Sequence, residues 1–446
     1  MHFKRKIYDT LKTWKAESCG KTAAMIDGAR RVGKSFIVEE FAKNEYRSYL
    51  LIDFNRPRPG AIETLIEESN DLDYMFAKLA AIYDVTLHKR ESVIIFDEVQ
   101  LCPRARALIK YLVADGRYDY IETGSLISLK SNIADIVIPS EEEHFEMFPL
   151  DFEEFLWAIG NDTAYAAMRA ACESLRPLGQ ALNRKFMNLF RQYLLVGGMP
   201  AAVQAYVTEN SFAAADKIKR NILTLYRNDI AKYAKGYEVR VRQIFDEIPA
   251  QLSKKEKKYR LSSISKSARA REYEDAFVWL NEAMITNPCF NSTDPNVGLG
   301  LNMDVTTHKL YMEDTGLLVT HAFWNETFTG NLLYKAILAD KIDVNEGMLT
   351  ENVVAQIFRA KGKKLFFYSR YAEESAKRIE IDFLIRKDKK ISPVEVKSSA
   401  FKRHSSLDKF IKKFSNRLAT PYLLYSGDIQ NRDGVQHLPL YMANFL

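Results

Sequence analysis

The sequence contains few cysteines, and they form no recognisable pattern. Cys19, Cys102, Cys172 and Cys289 are scattered along the chain without a C-x-x-C pair. A disulfide framework and a structural zinc site are therefore not expected, and a reducing compartment fits this cysteine usage.

Long apolar runs are also absent. No segment approaches the roughly 20 apolar residues that span a bilayer, and the polar sequence after residues 1–6 lacks an apolar core of signal-peptide length. No low-complexity stretch suggests a long disordered arm. We therefore expect a cytoplasmic protein with no membrane association.

What is present is ordinary for a multi-domain globular protein. The chain has 446 residues, of which 47% are hydrophobic and 27% charged, and its length predicts roughly two to four domains. The net charge of +6 permits a nucleic-acid partner but does not require one.

The most specific motif is a phosphate-binding loop of the form G-x-x-x-x-G-K-S. A buried-strand candidate at residues 23–27 leads into it and helical spacing follows it, which is the context this motif requires. Glycines let backbone N–H groups surround phosphates, and the helix N-terminus adds partial positive charge. We expect Lys34 to reach the β and γ phosphates of ATP and Ser35 to ligate Mg²⁺. The predicted nucleotide-binding set is Gly28, Ala29, Arg30, Arg31, Val32, Gly33, Lys34 and Ser35.

A second motif, typical of Walker B, supports the first. The apolar run at residues 92–96 predicts a buried strand, and Asp97 and Glu98 follow at its carboxyl end. Asp97 would hold Mg²⁺ together with Ser35. Glu98 would act as the general base that polarises the attacking water.

A third strand candidate, residues 119–122, ends in a polar tip. Thr123 or Ser125 at this tip would contact the γ-phosphate or the lytic water, and we assign Thr123 to the catalytic set with Glu98. The alternative is an ordinary turn, because Thr-Gly-Ser is common in turns.

The middle of the chain predicts helices and then a winged helix. Helical spacing over residues 181–235, broken at residues 197–200, favours a structural lid or bundle. The order helix, turn, helix, hairpin over residues 239–318 is that of a winged helix. Its adjoining basic residues would suit DNA phosphates, although a solvated loop beside a protein-binding module is the alternative. These residues are Lys254, Lys255, Lys257, Lys258, Arg260, Lys266, Arg269 and Arg271.

The C-terminal segment combines the order helix–strand–strand–strand–helix–strand with Asp382 and then Glu395-Val396-Lys397, whose charged side chains share one strand face. In these features it resembles the PD-(D/E)xK nuclease fold. The resemblance implies that Asp382 and Glu395 share Mg²⁺, that Lys397 activates water, and that Glu351 adds a carboxylate. The alternative is a binding or packing module in which these charges pair with each other.

The chain as a whole resembles prokaryotic AAA+ ATPases that carry a long C-terminal domain of unknown function. Beyond residues 28–35, the motifs concerned are residues 96–100, 122–125, 149–156, 197–200 and 311–318. The resemblance implies ATP and Mg²⁺ as cofactors. Relatives often carry Gly-Arg shortly before the segment at residue 149, whereas residues 138–146 here are acidic and lack Arg. We therefore assign no arginine finger, and fast hydrolysis would need an Arg from a homo-oligomer or a protein partner.

Together these patterns predict an α/β protein of four parts. They are a P-loop AAA+ ATPase domain with a parallel sheet (1–158), a helical region (159–237), a winged-helix-like domain (238–330) and a nuclease-like α/β domain (331–446). We expect an ATP-hydrolysing protein that acts on DNA. The alternative is a nucleotide-dependent switch or scaffold for protein partners with an inactive nuclease-like domain. A remodeller of protein substrates is less favoured, because no aromatic pore-loop motif is recognisable.

Overall fold

A computed structural model describes residues 2–124, 140–254, 258–264, 269–325, 334, 346–370, 378–398 and 405–446. The chain divides into two compact units. The N-terminal unit comprises residues 2–148 with 282–284, and the C-terminal unit comprises residues 149–281 and 285–446. Ser125 and the basic residues Lys255, Lys257 and Lys266 lie outside the described residues.

The N-terminal unit is built on a five-stranded sheet in the order β2-β3-β4-β1-β5, with every neighbouring pair parallel. Its central strands read as apolar runs because helices cover both faces of such a sheet. The strands are β1 (Ala23–Gly28), β2 (Ser48–Asp53), β3 (Ser92–Asp97), β4 (Asp119–Gly124) and β5 (Glu142–Met147), and the helices are α1 (Lys6–Ser18), α2 (Lys34–Glu45), α3 (Ala61–Glu67), α4 (Leu72–Tyr83) and α5 (Pro103–Asp115).

The strand order brings the predicted motifs to one edge of the sheet. β1 runs into the phosphate-binding loop, and it pairs with β4 so that Ile26 lies beside Thr123. β4 pairs in turn with β3, which ends at Asp97. Because the carboxyl ends of parallel strands share an edge, the loop, the Walker B carboxylate and Thr123 meet there.

The first half of the C-terminal unit is helical, as the spacing predicts. Gly197 ends α8 with a φ of 81°, and Pro200 occupies the first turn of α9, which explains the break between them. From residue 149 onwards, the helices in the described part of the chain are α6 (Phe152–Ala158), α7 (Asp162–Ser174), α8 (Gln180–Val196), α9 (Pro200–Glu209), α10 (Phe212–Tyr233), α11 (Glu238–Leu252), α12 (Ala270–Glu282), α13 (Thr315–Ala322), α14 (Glu346–Ala360) and α15 (Ser405–Phe414).

The second half contains two sheets. One has the order β7-β6-β8-β9 and the other the order β10-β11-β12-β14-β13. The strands are β6 (Thr286–Ser292), β7 (Met303–Met312), β8 (Leu365–Arg370), β9 (Ile379–Ile381), β10 (Phe383–Lys387), β11 (Lys390–Val396), β12 (Tyr422–Tyr425), β13 (Gln430–Arg432) and β14 (Val435–Pro439).

The hairpin expected for a winged helix is part of a larger sheet. β6 and β7 pair antiparallel, and the helices α11 and α12 precede them with a short 3₁₀ turn at Leu261–Ser263 between. However, β6 also pairs in parallel with β8, which lies beyond residue 330. The segments 238–330 and 331–446 therefore share one sheet within the C-terminal unit.

Residues 379–385 alternate in sequence like one strand, but the structure divides them. Two short strands occupy this segment, and they belong to different sheets, since β9 pairs with β8 and β10 pairs with β11. The chain passes from one sheet to the other at Asp382, whose Oδ2 accepts a hydrogen bond from the N–H of Val396 at 2.9 Å.

Candidate functional site

The phosphate-binding loop has the curled backbone that its glycines permit. Gly33 and Arg31 both have positive φ, 98° and 71° respectively. A Cβ on Gly28 would lie 2.5 Å from the carbonyl oxygen of Met147, so no larger residue fits at the start of the loop. The loop then enters α2, whose amino end has no side-chain cap, and a helix amino end of this kind suits an anion.

Lys34 is held inside this curl. Its Nζ donates to the carbonyl oxygens of Gly28 at 2.8 Å and Ala29 at 3.0 Å, and the residue is only 6% exposed. Lys34 is also the first residue of α2, so its ammonium and the partial positive charge of the helix amino end lie beside the same loop.

Ser35 and Asp97 form a pair of candidate oxygen ligands for a metal ion beside the loop. Ser35 Oγ donates to Asp97 Oδ1 at 2.7 Å. Burial raises the pKa of Asp97 above its usual value, while hydrogen bonds from Thr123 and Ser35 lower it and the charges of Glu98 and Asp53 raise it. A carboxylate and a hydroxyl next to a phosphate site suit Mg²⁺, which prefers oxygen ligands and completes its shell with substrate phosphates and water. The residues therefore fit a nucleotide-bound Mg²⁺.

Thr123 connects the two Walker B residues. Its Oγ1 donates to Asp97 Oδ1 at 2.5 Å and accepts the N–H of Glu98 at 3.1 Å. Glu98 has a φ of 57°, and its carboxylate accepts a hydrogen bond from Gln100 Nε2. In this arrangement Thr123 orients Asp97 and Glu98, and its contact with phosphate or water stays a prediction.

Arg5 supports the loop from outside the motif. Its guanidinium donates to the carbonyl oxygens of Val32 at 3.0 Å and Phe148 at 2.6 Å, and it is 7% exposed. The sequence contains no signal for this role, because an Arg between two lysines at the start of a helix reads as a surface residue. Its charge also adds to the positive potential behind the loop.

Three protein-family models match parts of this chain. A family model described as an AAA domain matches residues 20–156. Residues 20–156 are therefore similar to an AAA domain. Two further models, both described as domains of unknown function (DUF8612 and DUF4143), match residues 187–327 and 346–442. The match to an AAA domain and the geometry of the phosphate-binding loop together support ATP binding. The descriptions of the other two families name no activity.

Solved structures with low similarity accompany these matches. The Walker-type ATPase PABY2304 of Pyrococcus abyssi is 15% identical, with a TM-score of 0.43 over 72% of this chain and 96% of that chain. The Aeropyrum pernix ORC1 protein in complex with DNA is 11% identical, with a TM-score of 0.29 over 74% and 94%. Protein VC1899 from Vibrio cholerae is 12% identical, with a TM-score of 0.17 over 95% of each chain. No curated protein matches the chain.

The predicted C-terminal residues come together in the C-terminal unit. Lys397 Nζ lies 2.6 Å from Glu395 Oε1, and Asp382 lies beside them at the crossing between the two sheets. Burial lowers the pKa of Lys397, but the charges of Glu395 and Asp382 outweigh it and raise the pKa overall. Glu351, on α14, joins the cluster through a residue that the sequence did not single out.

That residue is Lys309, on β7. Its Nζ lies 3.2 Å from Glu380 Oε1, 3.4 Å from Asp382 Oδ1 and 3.5 Å from Glu351 Oε2. Burial alone would lower its pKa, but the charges of Glu351, Asp382 and Glu380 raise it well above the usual value. The segment around Lys309 reads as an ordinary strand, and only the pairing of β6 with β7 and β8 brings it to the carboxylates.

Two absences apply to the described ranges. Among these residues, no group of three or more His, Cys, Asp or Glu side chains is arranged to hold a metal ion. Within the same residues, no helix combines the length and apolar character needed to cross a membrane.

Proposed function

We propose that this protein hydrolyses ATP in a Mg²⁺-dependent reaction at the edge of the N-terminal sheet. The observation that carries the proposal is the convergence on Asp97 Oδ1 of hydrogen bonds from Ser35 and Thr123. This convergence joins the phosphate-binding loop to the end of the neighbouring strands, where a γ-phosphate would lie.

Each residue has a defined task in this reaction. Lys34 binds the phosphate oxygens, and Ser35 and Asp97 would hold Mg²⁺, which would supply positive charge next to the phosphates. Glu98 accepts the proton of the attacking water. Thr123 holds Glu98 and Asp97 in position relative to each other, because it forms hydrogen bonds with the backbone of Glu98 and the side chain of Asp97.

The test is phosphate release from labelled ATP with Mg²⁺, alongside equilibrium binding of ATP. We expect Lys34→Ala to lose both binding and turnover, whereas Glu98→Gln keeps binding and loses roughly 100-fold or more in turnover. Lys43→Ala is the matched control, since Lys43 lies on the same helix and pairs with Glu39 at the surface. Wild-type turnover in Glu98→Gln would contradict the general-base role, and ATP binding by Lys34→Ala would contradict the site.

DNA is our second candidate, as the target on which ATP binding acts. In the described part of the basic segment, the side chains of Lys254, Arg260, Arg269 and Arg271 are exposed. They lie around α11, the 3₁₀ turn and α12, in the helix–turn–helix order that precedes the hairpin. Exposed cations of this kind bind phosphates and make affinity depend on salt.

Duplex and single-stranded DNA are the probes for this second candidate. We expect binding at low salt that weakens with salt, and a weaker salt dependence in the double variant Arg260→Gln/Arg271→Gln. Glu272→Gln is the control on the same helix, because it removes a negative charge. If DNA neither binds nor changes ATP turnover, the alternative of a nucleotide-dependent switch or scaffold for protein partners is favoured. A homo-oligomer or a partner that supplies an Arg then becomes the focus, since turnover would rise with protein or partner concentration.

A further inference from the structure

The carboxylates of the C-terminal unit surround an ammonium group. Glu351, Glu380 and Asp382 each place one oxygen within 3.5 Å of Lys309 Nζ. These side chains come from different elements, namely α14, β9 and the crossing after β9. Lys309 is 1% exposed, so its charge is shielded from water and depends on these partners.

The position of Lys309 is fixed by its strand. Its backbone pairs with Cys289 in the hairpin of β6 and β7, and its Nζ lies 5.2 Å from the centroid of the Phe367 ring. Lys309 begins the buried end of this paired strand, and a lysine there cannot swing out to solvent without breaking the packing around it. The ammonium is therefore a built-in part of the cluster.

Neighbouring donors also occupy the carboxylate oxygens. Tyr311 Oη donates to Glu351 Oε2 at 3.0 Å, which is the same oxygen that faces Lys309. Asp382 turns Oδ1 to Lys309 and Oδ2 to the N–H of Val396. A divalent ion at this point would have to displace the ammonium and compete with these donors, so the residues as arranged do not fit the Mg²⁺ that the nuclease resemblance implies.

We propose that Lys309 is the resident cation of this cluster and the residue that excludes a divalent metal ion from it. The cluster then acts as an ionic joint between α14 and the strands around it, which is a role in packing. Removal of the ammonium would leave three carboxylates in mutual repulsion, one of them buried and two half-buried, and a divalent ion would then be the cation that relieves it. This inference does not depend on the ATPase proposal.

The experiment uses the full chain with Asp97→Asn in every sample, so that the nucleotide site contributes no metal binding. Mn²⁺ binding without nucleotide is followed by electron paramagnetic resonance, and thermal unfolding is measured with Mn²⁺ or with a chelator. The samples carry Lys309, Lys309→Met, Lys309→Arg, and the double change Lys309→Met/Asp382→Asn. The Arg variant keeps the cation and serves as the matched control.

We expect no saturable Mn²⁺ site when Lys309 or Arg is present, and one site in Lys309→Met. We expect Mn²⁺ to raise the unfolding temperature of Lys309→Met alone, and the added Asp382→Asn to abolish both effects. Saturable Mn²⁺ binding with Lys309 in place that is lost on Asp382→Asn would overturn the proposal. So would a folded Lys309→Met that binds no Mn²⁺.

Poor folding of Lys309→Met would not leave the question open. In that case the variant is refolded from denaturant with Mn²⁺ and, in parallel, with chelator. The proposal expects a larger folded fraction with Mn²⁺, because the ion replaces the missing ammonium. An equal folded fraction in both conditions would contradict it.

Discussion

At the residue scale, a single threonine connects the parts of the nucleotide site. Thr123 donates to Asp97 and accepts from the backbone of Glu98, so it orients the residue proposed to hold Mg²⁺ and the residue proposed to activate water. The motifs in the sequence identify Asp97 and Glu98 by their place after a buried strand. They do not reveal that Thr123 joins them, because this depends on the pairing of β3 with β4.

The pH dependence of turnover follows from this contact. Burial raises the pKa of Asp97, and the hydrogen bonds from Thr123 and Ser35 oppose that rise because they stabilise the ionised carboxylate. Turnover needs the ionised form to hold Mg²⁺, so it falls as the pH drops through this pKa. Thr123→Val removes one opposing hydrogen bond, and its acid limb should therefore lie at higher pH than in the wild type.

The measurement is kcat/KM for ATP as a function of pH at saturating Mg²⁺. Thr13→Val is the control, since Thr13 is exposed and donates to the carbonyl oxygen of Asp9 within α1. We also expect Thr123→Val to require more Mg²⁺ for half-maximal turnover. An acid limb that coincides with the wild type, together with an unchanged Mg²⁺ requirement, would show that Thr123 does not act through Asp97.

At the element scale, two distant motifs lock together in the C-terminal unit. Gly198 N–H donates to Asp314 Oδ2 at 2.6 Å, and Asp314 Oδ1 caps α13 through the N–H of Leu317. A Cβ on Gly197 would lie 2.2 Å from Asp314 Oδ1, and one on Gly198 would lie 2.0 Å from the carbonyl oxygen of Leu150. These glycines allow the close approach, and their motif therefore has a structural role.

Gly197→Ala should destabilise the C-terminal unit for two separable reasons. The φ of 81° strains any residue with a Cβ, and the Cβ also collides with the Asp314 carboxylate. Gly236→Ala is the matched control, because its φ is 90° and nothing lies within 4 Å of the added Cβ. We expect a loss of about 1 kcal/mol in the free energy of unfolding for Gly236→Ala, and about 2–4 kcal/mol for Gly197→Ala.

Denaturant unfolding followed by the fluorescence of the C-terminal unit's tryptophans provides the comparison. Equal losses for the two variants would mean that backbone strain alone accounts for the effect. A larger loss in Gly236→Ala than in Gly197→Ala would contradict the lock between the two motifs.

Strands made of apolar residues could be predicted from the sequence, whereas one strand with polar residues could not. β1 and β3 show as apolar runs because both their faces are buried. β5 does not, since its residues include Glu142 and His144. The charge of Glu142 is neutralised by the buried side chain of Arg106 on α5, which donates to the two carboxylate oxygens at 3.0 Å and 2.7 Å. Such a pairing depends on tertiary contacts that no local spacing records.

At the scale of the whole molecule, long-range strand pairing decides what the sequence could not show. The parallel pairing of β6 with β8 joins residues that the hydrophobic pattern assigns to separate segments. The same sheet brings Lys309 into ion pairs with Glu351, Glu380 and Asp382. The sequence predicted two of these carboxylates as metal ligands, and it gave no sign of the lysine beside them. Periodicity reports which face of a strand is buried, but it does not report which strand lies beside it.

The division into two compact units predicts how ATP affects stability. All residues of the proposed nucleotide site lie in the N-terminal unit, so MgATP should raise the unfolding temperature of that unit. Binding at 100 times the Kd would stabilise it by about 2.7 kcal/mol. The transition of the C-terminal unit should respond instead to Gly197→Ala and to Lys309→Met, because an added Cβ on Gly197 meets Asp314 and Lys309 pairs with Asp382, both in that unit.

Differential scanning calorimetry with and without MgATP separates these effects. We expect MgATP to shift one transition in the wild type and in Lys43→Ala, and to shift none in Lys34→Ala. Gly197→Ala should lower the other transition and leave the MgATP shift intact. If MgATP moved the transition that Gly197→Ala lowers, the nucleotide would be stabilising the C-terminal unit. ATP binding and that unit would then be thermodynamically coupled, which is the behaviour required of a nucleotide-dependent switch.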